Sequence, residues 1–266
     1  MIKKKKVLIC TPSHDGKVQV AYMLGCLELL RKENKNYSFD WFIMEYASDI
    51  MKGRNTMFWN WYYSTTHDYL LFIDSDEGFT AEVVDELLTH SREDEISGAP
   101  VPLKSINEDK VAEWIGQELQ DRSKPTIDLQ DMLPSTYKYN FSGGKSDDLN
   151  SRFLYPEKLG TGFMVVPRKV GDIMIDYFDM KAEDKPPIYT NSEGQRCYSF
   201  FSHIVKDGKM LGEDYSFCIR AQMSGVKVKV DSYLNIEHYG TFKWNGNLEA
   251  QKRSIKLRKK LAKKLS

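Results

Sequence analysis

Four short apolar runs, KKVLICTP (5–12), SFDWFIMEY (38–46), DYLLFIDSD (68–76) and EISGAPV (95–101), are separated by three stretches of helical character. This alternation restricts the fold more than any other feature. A strand that is apolar on nearly every residue must be covered on both faces, and the intervening helices supply the covers. VQVAYMLGCLELLRKE (18–33) has apolar residues at helical spacing, Leu24, Leu27 and Leu30 among them. SDIMKGRNTMFWNWYYST (48–65) opens on the N-cap pair Ser48 and Asp49 and reads as loop then helix, and TAEVVDELLTHS (80–91) is capped by Thr80. The β-α-β-α-β-α-β order predicts an α/β fold: an open, mostly parallel sheet with helices on both faces. No internal repeat is present.

The pattern then breaks. Residues 103–155 contain Pro125, Pro134 and Gly143-Gly144 among many polar residues, with a weak helical signal at 108–121. A long irregular insertion in a compact domain is more often functional than not, and YKYNFSGGKSDD within it has the look of a flap. Order returns at GTGFMVVPRKVGDIMIDYF (160–178), a strand then a helix. In GEDYSFCIRAQMSGVKVKVDSYLNIEHYG (212–240) a helix runs from Asp214 to a stop at Gly225, a strand runs to Val230, and a last strand ends at His238. The expected organisation is one domain over 1–246, divided at 102 and 155 by the insertion, followed by a basic helix over 247–266 with Leu257, Leu261 and Leu265 on one stripe.

A content of 41% hydrophobic and 29% charged residues in 266 supports a sizeable core and excludes wholesale disorder. No stretch approaches the roughly 18 apolar residues of a membrane span. MIKKKKVLICTP is basic at first, but its short apolar segment reads as a strand rather than a signal peptide. Cys10, Cys26, Cys197 and Cys218 show no CxxC or zinc-like spacing; thiols in a reducing, cytoplasmic compartment are expected.

The net charge of zero is unevenly spread. Residues 248–266 carry eight Lys or Arg against Glu249, and Lys3 to Lys6 add four, leaving an acidic body near −11 between basic ends. An acidic body argues against nucleic-acid binding. The basic tail is compatible with peripheral contact to an anionic membrane, or with a solvated terminal helix.

LLFIDSDEGF places Asp74 and Asp76 directly behind a buried strand, with Ser75 between them. In an open parallel sheet, ligands bind outside the carboxyl ends of the strands. Carboxylates there suit Mg²⁺ or Mn²⁺, which take a few protein oxygens and complete their shell with phosphate and water. Read alone, the D-x-D is as compatible with a turn cap beside a solvated carboxylate. The aromatic FWNWYY (58–63) is read as core, with Phe58, Trp61 and Tyr62 on one helix face. Trp244 either covers a bound ligand or packs the tail.

Five short motifs stand in a fixed order: Arg54-Asn55, Asp74-Ser75-Asp76, Gly160-Thr161-Gly162-Phe163, Glu213-Asp214 and His238. Together they resemble a glycosyltransferase of the GT-A (Rossmann-like) fold, of the short family-2-like type found in bacteria, phages and large DNA viruses. The resemblance covers roughly 5–102 and 155–240, and not the insertion or tail. It implies a nucleotide-sugar-binding half in 1–102 and an acceptor and catalytic half in 156–246. It also implies transfer of a sugar from a UDP-, GDP- or dTDP-sugar to a hydroxyl on a glycan or glycoconjugate, with Mn²⁺ or Mg²⁺. By that likeness Asp74 and Asp76 handle the metal and diphosphate, and His238 is a further ligand. Thr11, Pro12 and Glu45 to Ala47 frame the base, Arg54 approaches the phosphates after an Arg-Asn pair that precedes a helix, and Gly160 and Gly162 admit the acceptor. Asp214 is the base that deprotonates the acceptor in an inverting displacement, its proton affinity raised by Glu213. From the residues alone, Glu213 and Asp214 are equally an acidic first turn that favours the helix dipole.

Two other classes compete. A sugar nucleotidyltransferase usually carries a Gly-rich, Arg-Lys loop after its first strand, and TPSHDGKVQV has one glycine and no such cluster. A non-catalytic nucleotide-sugar or glycan-binding module is disfavoured by the intact acids at 74, 76 and 214.

Overall fold

The computed structural model describes residues 3–120, 129–143, 151–181, 183–241, 243–253 and 256. Seven strands make one sheet: β1 (Lys5–Pro12), β2 (Tyr37–Met44), β3 (Tyr69–Ile73), β4 (Glu95–Gly98), β5 (Phe153–Leu154), β6 (Phe163–Pro167) and β7 (Lys227–Asp231). Their spatial order is β2-β1-β3-β6-β4-β7-β5. β2, β1 and β3 are parallel, as are β4 and β7, whereas β6 runs antiparallel to both β3 and β4, and β5 antiparallel to β7. Five strands of seven thus share a direction, a mixed α/β sheet compatible with a Rossmann-like fold. The antiparallel strand at its centre was not anticipated, because an apolar run such as FMVVP reads the same in either direction.

Side chains alternate between two cores, as the two-residue period of a strand demands. Leu8, Cys10, Leu70, Phe72, Met164 and Val166 face one side, with α2 (Ile50–Ser64), α6 (Arg168–Met180) and α7 (Glu213–Met223). Val7, Ile9, Leu71, Ile73, Phe163 and Val165 face the other, under α1 (Val20–Arg31) and α3 (Ala81–His90).

Helix α1 forms where expected but sits the other way round. Tyr22, Gly25 and Leu29 are buried, while Leu24, Leu27 and Leu30 are exposed. The small residue decides this: a Cβ on Gly25 would stand 2.7 Å from the Phe79 carbonyl oxygen, so the helix docks through its glycine face.

Helix α2 is fixed at both ends. Asp49 accepts from the Lys52 N–H at 3.0 Å as its N-cap, which places Arg54-Asn55 inside the helix rather than before it. At the other end the Arg168 guanidinium donates to the carbonyls of Trp61, Tyr62, Thr65 and His67 at 2.8–3.2 Å, satisfying acceptors that a helix leaves open. Of FWNWYY, Phe58 and Trp61 are core as read and Tyr62 packs against it partly buried, while Tyr63 is exposed; Trp59 is buried as well, its Nε1 donating to the Tyr198 carbonyl at 2.8 Å.

The insertion is more regular than its composition suggests. It holds the strands Pro102–Ile106 and Tyr137–Tyr139, paired antiparallel, and the helices α4 (Glu108–Gln120) and α5 (Leu129–Thr136). Its return strand is β5, at the sheet edge, anchored by Arg152 on Asp231 at 2.8–3.0 Å. The flap reading falls in part on 144–150, outside the described residues.

Residues 248–253 are helical, and Leu248 and Ala250 join the core. Lys252, first of the tail's basic residues, is buried and donates to the Ser151 carbonyl and Ser232 Oγ, which departs from a wholly solvated terminal helix. Leu257, Leu261, Leu265 and any membrane contact through them lie outside the described residues. Among those residues no helix is long and apolar enough to cross a membrane. Cys10, Cys197 and Cys218 are buried, Cys26 partly so, and none is in a disulfide.

Candidate active site

β1 and β3 end side by side, and a cavity of about 370 Å³ opens beyond them. Pro12, Arg54, Asp74, Ser75, Asp76, Gly160, Gly162, Glu213, Asp214 and His238 all line it. Side chains more than 200 residues apart in sequence therefore converge on one space.

The D-x-D is held by its backbone. The Asp74 N–H donates to the Gly162 carbonyl at 2.9 Å, the Ser75 carbonyl accepts from Gln19 at 2.8 Å, and the Asp76 carbonyl accepts from the Tyr239 N–H at 2.8 Å. The last bond continues a small ladder in which Glu77–Gly78 pairs with Glu237–Tyr239, setting His238 opposite Glu77 and beside Asp76. This explains how a histidine so distant in sequence reaches the acids.

His238 Nδ1 lies 2.7 Å from the Pro102 carbonyl oxygen. A carbonyl only accepts, so Nδ1 carries the proton, and Nε2 in the neutral ring presents a lone pair. That nitrogen faces Asp76 Oδ2 at 3.5 Å. Two electron-rich atoms so placed favour a cation, and an oriented imidazole beside an ionised carboxylate is the donor chemistry of a divalent-metal site. Burial alone would raise the Asp76 carboxyl, but hydrogen bonds and charge from the His238 imidazolium and from Lys104 outweigh it and hold it at about 2; the Nε2 lone pair is offered to a metal only in the neutral ring, in exchange for that proton. Among the described residues no group of three or more His, Cys, Asp or Glu is placed to hold a metal. Asp76 and His238 alone could thus contribute at most two protein ligands to a hard cation, a number that Mg²⁺ and Mn²⁺ commonly accept.

Arg54 is buried in α2 and donates from Nη2 to Asp74 Oδ1 at 2.8 Å; its Nε lies 3.9 Å from Glu213 Oε1. It is therefore an internal strut between D-x-D and the start of α7. Glu213 and Asp214 open that helix after Gly212, and Asp214 Oδ1 accepts from the Tyr215 N–H at 2.7 Å. Burial first, and then the Glu213 charge, raise the Asp214 carboxyl to about 6. A carboxylate tuned to that value is poised to take a proton near neutrality.

Several expected residues serve elsewhere. Asn55 does not line the cavity; its amide donates to the Met51 carbonyl and Ser199 Oγ and accepts from the Phe201 N–H, tying α2 to the 199–201 segment. One residue's step along a helix turns a side chain about 100°, so Arg54 and Asn55 cannot both point in. Thr11 points into the α1 core, where its hydroxyl meets Tyr22 OH at 2.6 Å. Glu45 is exposed in the turn after β2, outside the cavity lining, while Ala47 lies within it. At Gly160 and Gly162 the side a Cβ would occupy is filled by protein, while the residues themselves line the cavity. A Cβ on Gly162 would meet Glu77 Oε1 at 2.1 Å, and one on Gly160 would meet Asn140 Nδ2 at 2.9 Å. Trp244 lies edge-on to Tyr137 at 5.1 Å and is absent from the lining, so the packing role holds.

Among the polar lining residues, His14, Asn140 and Glu77 were not singled out in the sequence as site residues. Glu77 is fully buried, and desolvation, with Asp74 and Asp76 nearby, pushes its carboxyl well above the ordinary range. Its neighbours in the D-x-D hid it, since a third acid in a row reads as surface charge.

No family model matches the sequence, and no curated protein does. Among solved structures, the chain is similar to A197 from STIV, with 13% identity and a TM-score of 0.48 over 88% of this chain and 86% of that one.

Proposed function

We propose that the chain is a glycosyltransferase of GT-A type, moving a sugar from a nucleoside-diphosphate donor to a hydroxyl acceptor. One observation carries this reading: Asp74, Asp76 and His238 share a single cavity with Asp214, whose carboxyl is raised to about 6. An anionic corner suited to a cation-bound diphosphate and a base near neutrality are the two requirements of glycosyl transfer.

In the proposed reaction the acceptor oxygen attacks the anomeric carbon as the bond to the diphosphate oxygen breaks. The bonding electrons leave with the diphosphate, and the acceptor proton passes to an Asp214 carboxylate oxygen. Attack from the face opposite the leaving group inverts the anomeric configuration. Glu213 holds a second negative charge beside Asp214 and keeps its proton affinity high. Arg54 neutralises Asp74 and offsets the charge of the helix start. Asp76 and His238 Nε2 would hold a divalent cation, Mn²⁺ or Mg²⁺, which when bound neutralises the diphosphate.

Calorimetric titration with UDP-, GDP- and dTDP-sugars, with Mn²⁺ and then with EDTA, tests the proposal. Metal-dependent binding of one donor supports it, followed by proton NMR of the product's anomeric configuration. A folded chain that binds none of them returns the site to a binding module for another ligand. A retained anomeric configuration would remove Asp214 as the base of a single displacement.

A further inference from the structure

Lys104 belongs to none of the sequence motifs. It lies on the strand Pro102–Ile106 of the insertion, and its Nζ bonds to Asp76 Oδ2, the same oxygen that faces His238 Nε2. The contact is built from beneath. A Cβ on Gly240 would stand 3.1 Å from Lys104 Cδ, so the bare backbone after Tyr239 is the bed on which the lysine stem lies. The hairpin is fixed by the same histidine, whose Nδ1 bonds the Pro102 carbonyl two residues before Lys104. A lysine of the insertion therefore pairs with one aspartate of the D-x-D, Asp76, while Arg54 pairs with the other, Asp74.

An ammonium on Oδ2 and a divalent ion shared by Asp76 and His238 compete for one corner. Two cations on one carboxylate oxygen repel each other, and the lysine, on a flexible four-carbon stem, is the one free to move. Its reach from the Gly240 bed keeps it next to Asp76, where the oxygens of a cation-bound diphosphate would lie.

We propose that Lys104 is a tethered cation of the diphosphate site: it pairs with Asp76 when no donor is bound, opposes divalent-metal binding there, and transfers to a phosphate oxygen when the donor enters. The inference rests on the glycosyl-transfer reading for the identity of the phosphate ligand. Metal would then bind weakly alone and strongly with nucleotide, because only the nucleotide offers the lysine another anion.

The test compares the native chain with Lys104→Met, which keeps the stem, and Lys104→Arg, which keeps the charge. Mn²⁺ alone is titrated first, by electron paramagnetic resonance, and then UDP, GDP and dTDP in the presence of Mn²⁺, by calorimetry. Lys104→Met should bind Mn²⁺ alone about three- to fivefold more tightly, the scale of a half-exposed ion pair removed. It should bind the preferred nucleotide about tenfold more weakly, the scale of a lost charge-assisted bond. Lys104→Arg should stay near native in both. Unchanged or weaker Mn²⁺ binding in Lys104→Met, or no Mn²⁺ binding to either protein, overturns the proposal. So does undiminished nucleotide binding by Lys104→Met. If the native chain binds none of the three nucleotides, the glycosyl-transfer reading itself fails, a result distinct from a nucleotide that binds and ignores Lys104.

Discussion

Arg54 and Asp74 are joined across 2.8 Å, yet Nε and Nη1 of the same guanidinium have no hydrogen-bond acceptor among the described residues. The pair is buried on the arginine side and partly open on the aspartate side, where the side chain is 30% exposed. Desolvating a guanidinium for one good bond is costly, and the neighbouring charges of Glu213 and Asp214 offset the cost.

Replacing Arg54 by Met should leave three carboxylates facing one another without a counter-charge. The expected loss is about 2–3 kcal/mol, discounted from the fully buried case because Asp74 reaches solvent. Arg54→Lys should recover little, since an ammonium cannot reach both acids with a fork. Urea unfolding of the three proteins measures both effects, and an Arg54→Met chain as stable as native would refute the strut.

Asp214→Asn should remove transfer and stabilise the fold. The carboxyl rises from 3.8 to about 6 on folding. Between those values the native chain holds a proton that the unfolded chain has released, so stability falls as pH rises through that window. Asparagine escapes the penalty. At pH 7.5 the variant should be more stable by about 1–2 kcal/mol, with the gain gone below about pH 4. Transfer by the native chain should climb with pH through about 6 as Asp214 loses its proton. Denaturant curves at several pH values, beside a rate profile, check the two readings separately.

Metal and chemistry should separate by residue. Asp76→Asn is expected to weaken Mn²⁺-dependent nucleotide binding by tenfold or more, and His238→Gln by about tenfold, on the scale at which metal-site partners act. Asp214→Asn should bind nucleotide as the native chain does. Calorimetry on all three decides it; equal loss in Asp214→Asn would mean that the acid at α7 belongs to the donor site.

Gly162→Ala tests the crowding around Glu77. The new methyl would overlap Glu77 Oε1, and β6 cannot shift because β3 and β4 flank it. A cost of about 1–3 kcal/mol is expected. With Glu77→Ala in the same chain the two changes should cost less together than their sum, because the atom that clashes is gone. Additive losses in thermal unfolding would show that the strain lies elsewhere.

The framework of the fold was legible because period and punctuation agree over long segments. The runs at 5–12, 68–76 and 95–101 became β1, β3 and β4, and Asp49 and Thr80 cap α2 and α3 as their sequences propose. What the sequence withheld was direction and facing. Nothing in FMVVP says that β6 enters antiparallel, and three leucines at helical spacing did not disclose that Gly25 would be the docking face. At the site, Asp74, Asp76, Glu213, Asp214 and His238, each picked out by a motif, line one cavity. Thr11 and Asn55 each sit one position from a lining residue and point away, a difference of facing that spacing alone does not show. Lys104 had no signal at all, because a lysine in a polar insertion resembles every other surface lysine.

The central place of β6 has a consequence for how the chain is made. Among the described residues β4 pairs only with β6 and β7, both of which leave the ribosome after it. From residue 98 until residue 163 appears, the strand Glu95–Gly98 waits with both edges bare. At roughly 5–20 residues per second that wait lasts several seconds, long enough for edge-to-edge association with other nascent chains. Synthesis of this protein therefore passes through a period in which its sheet has a gap at the middle, and the yield of folded chain depends on how well that gap is guarded until the late strand fills it.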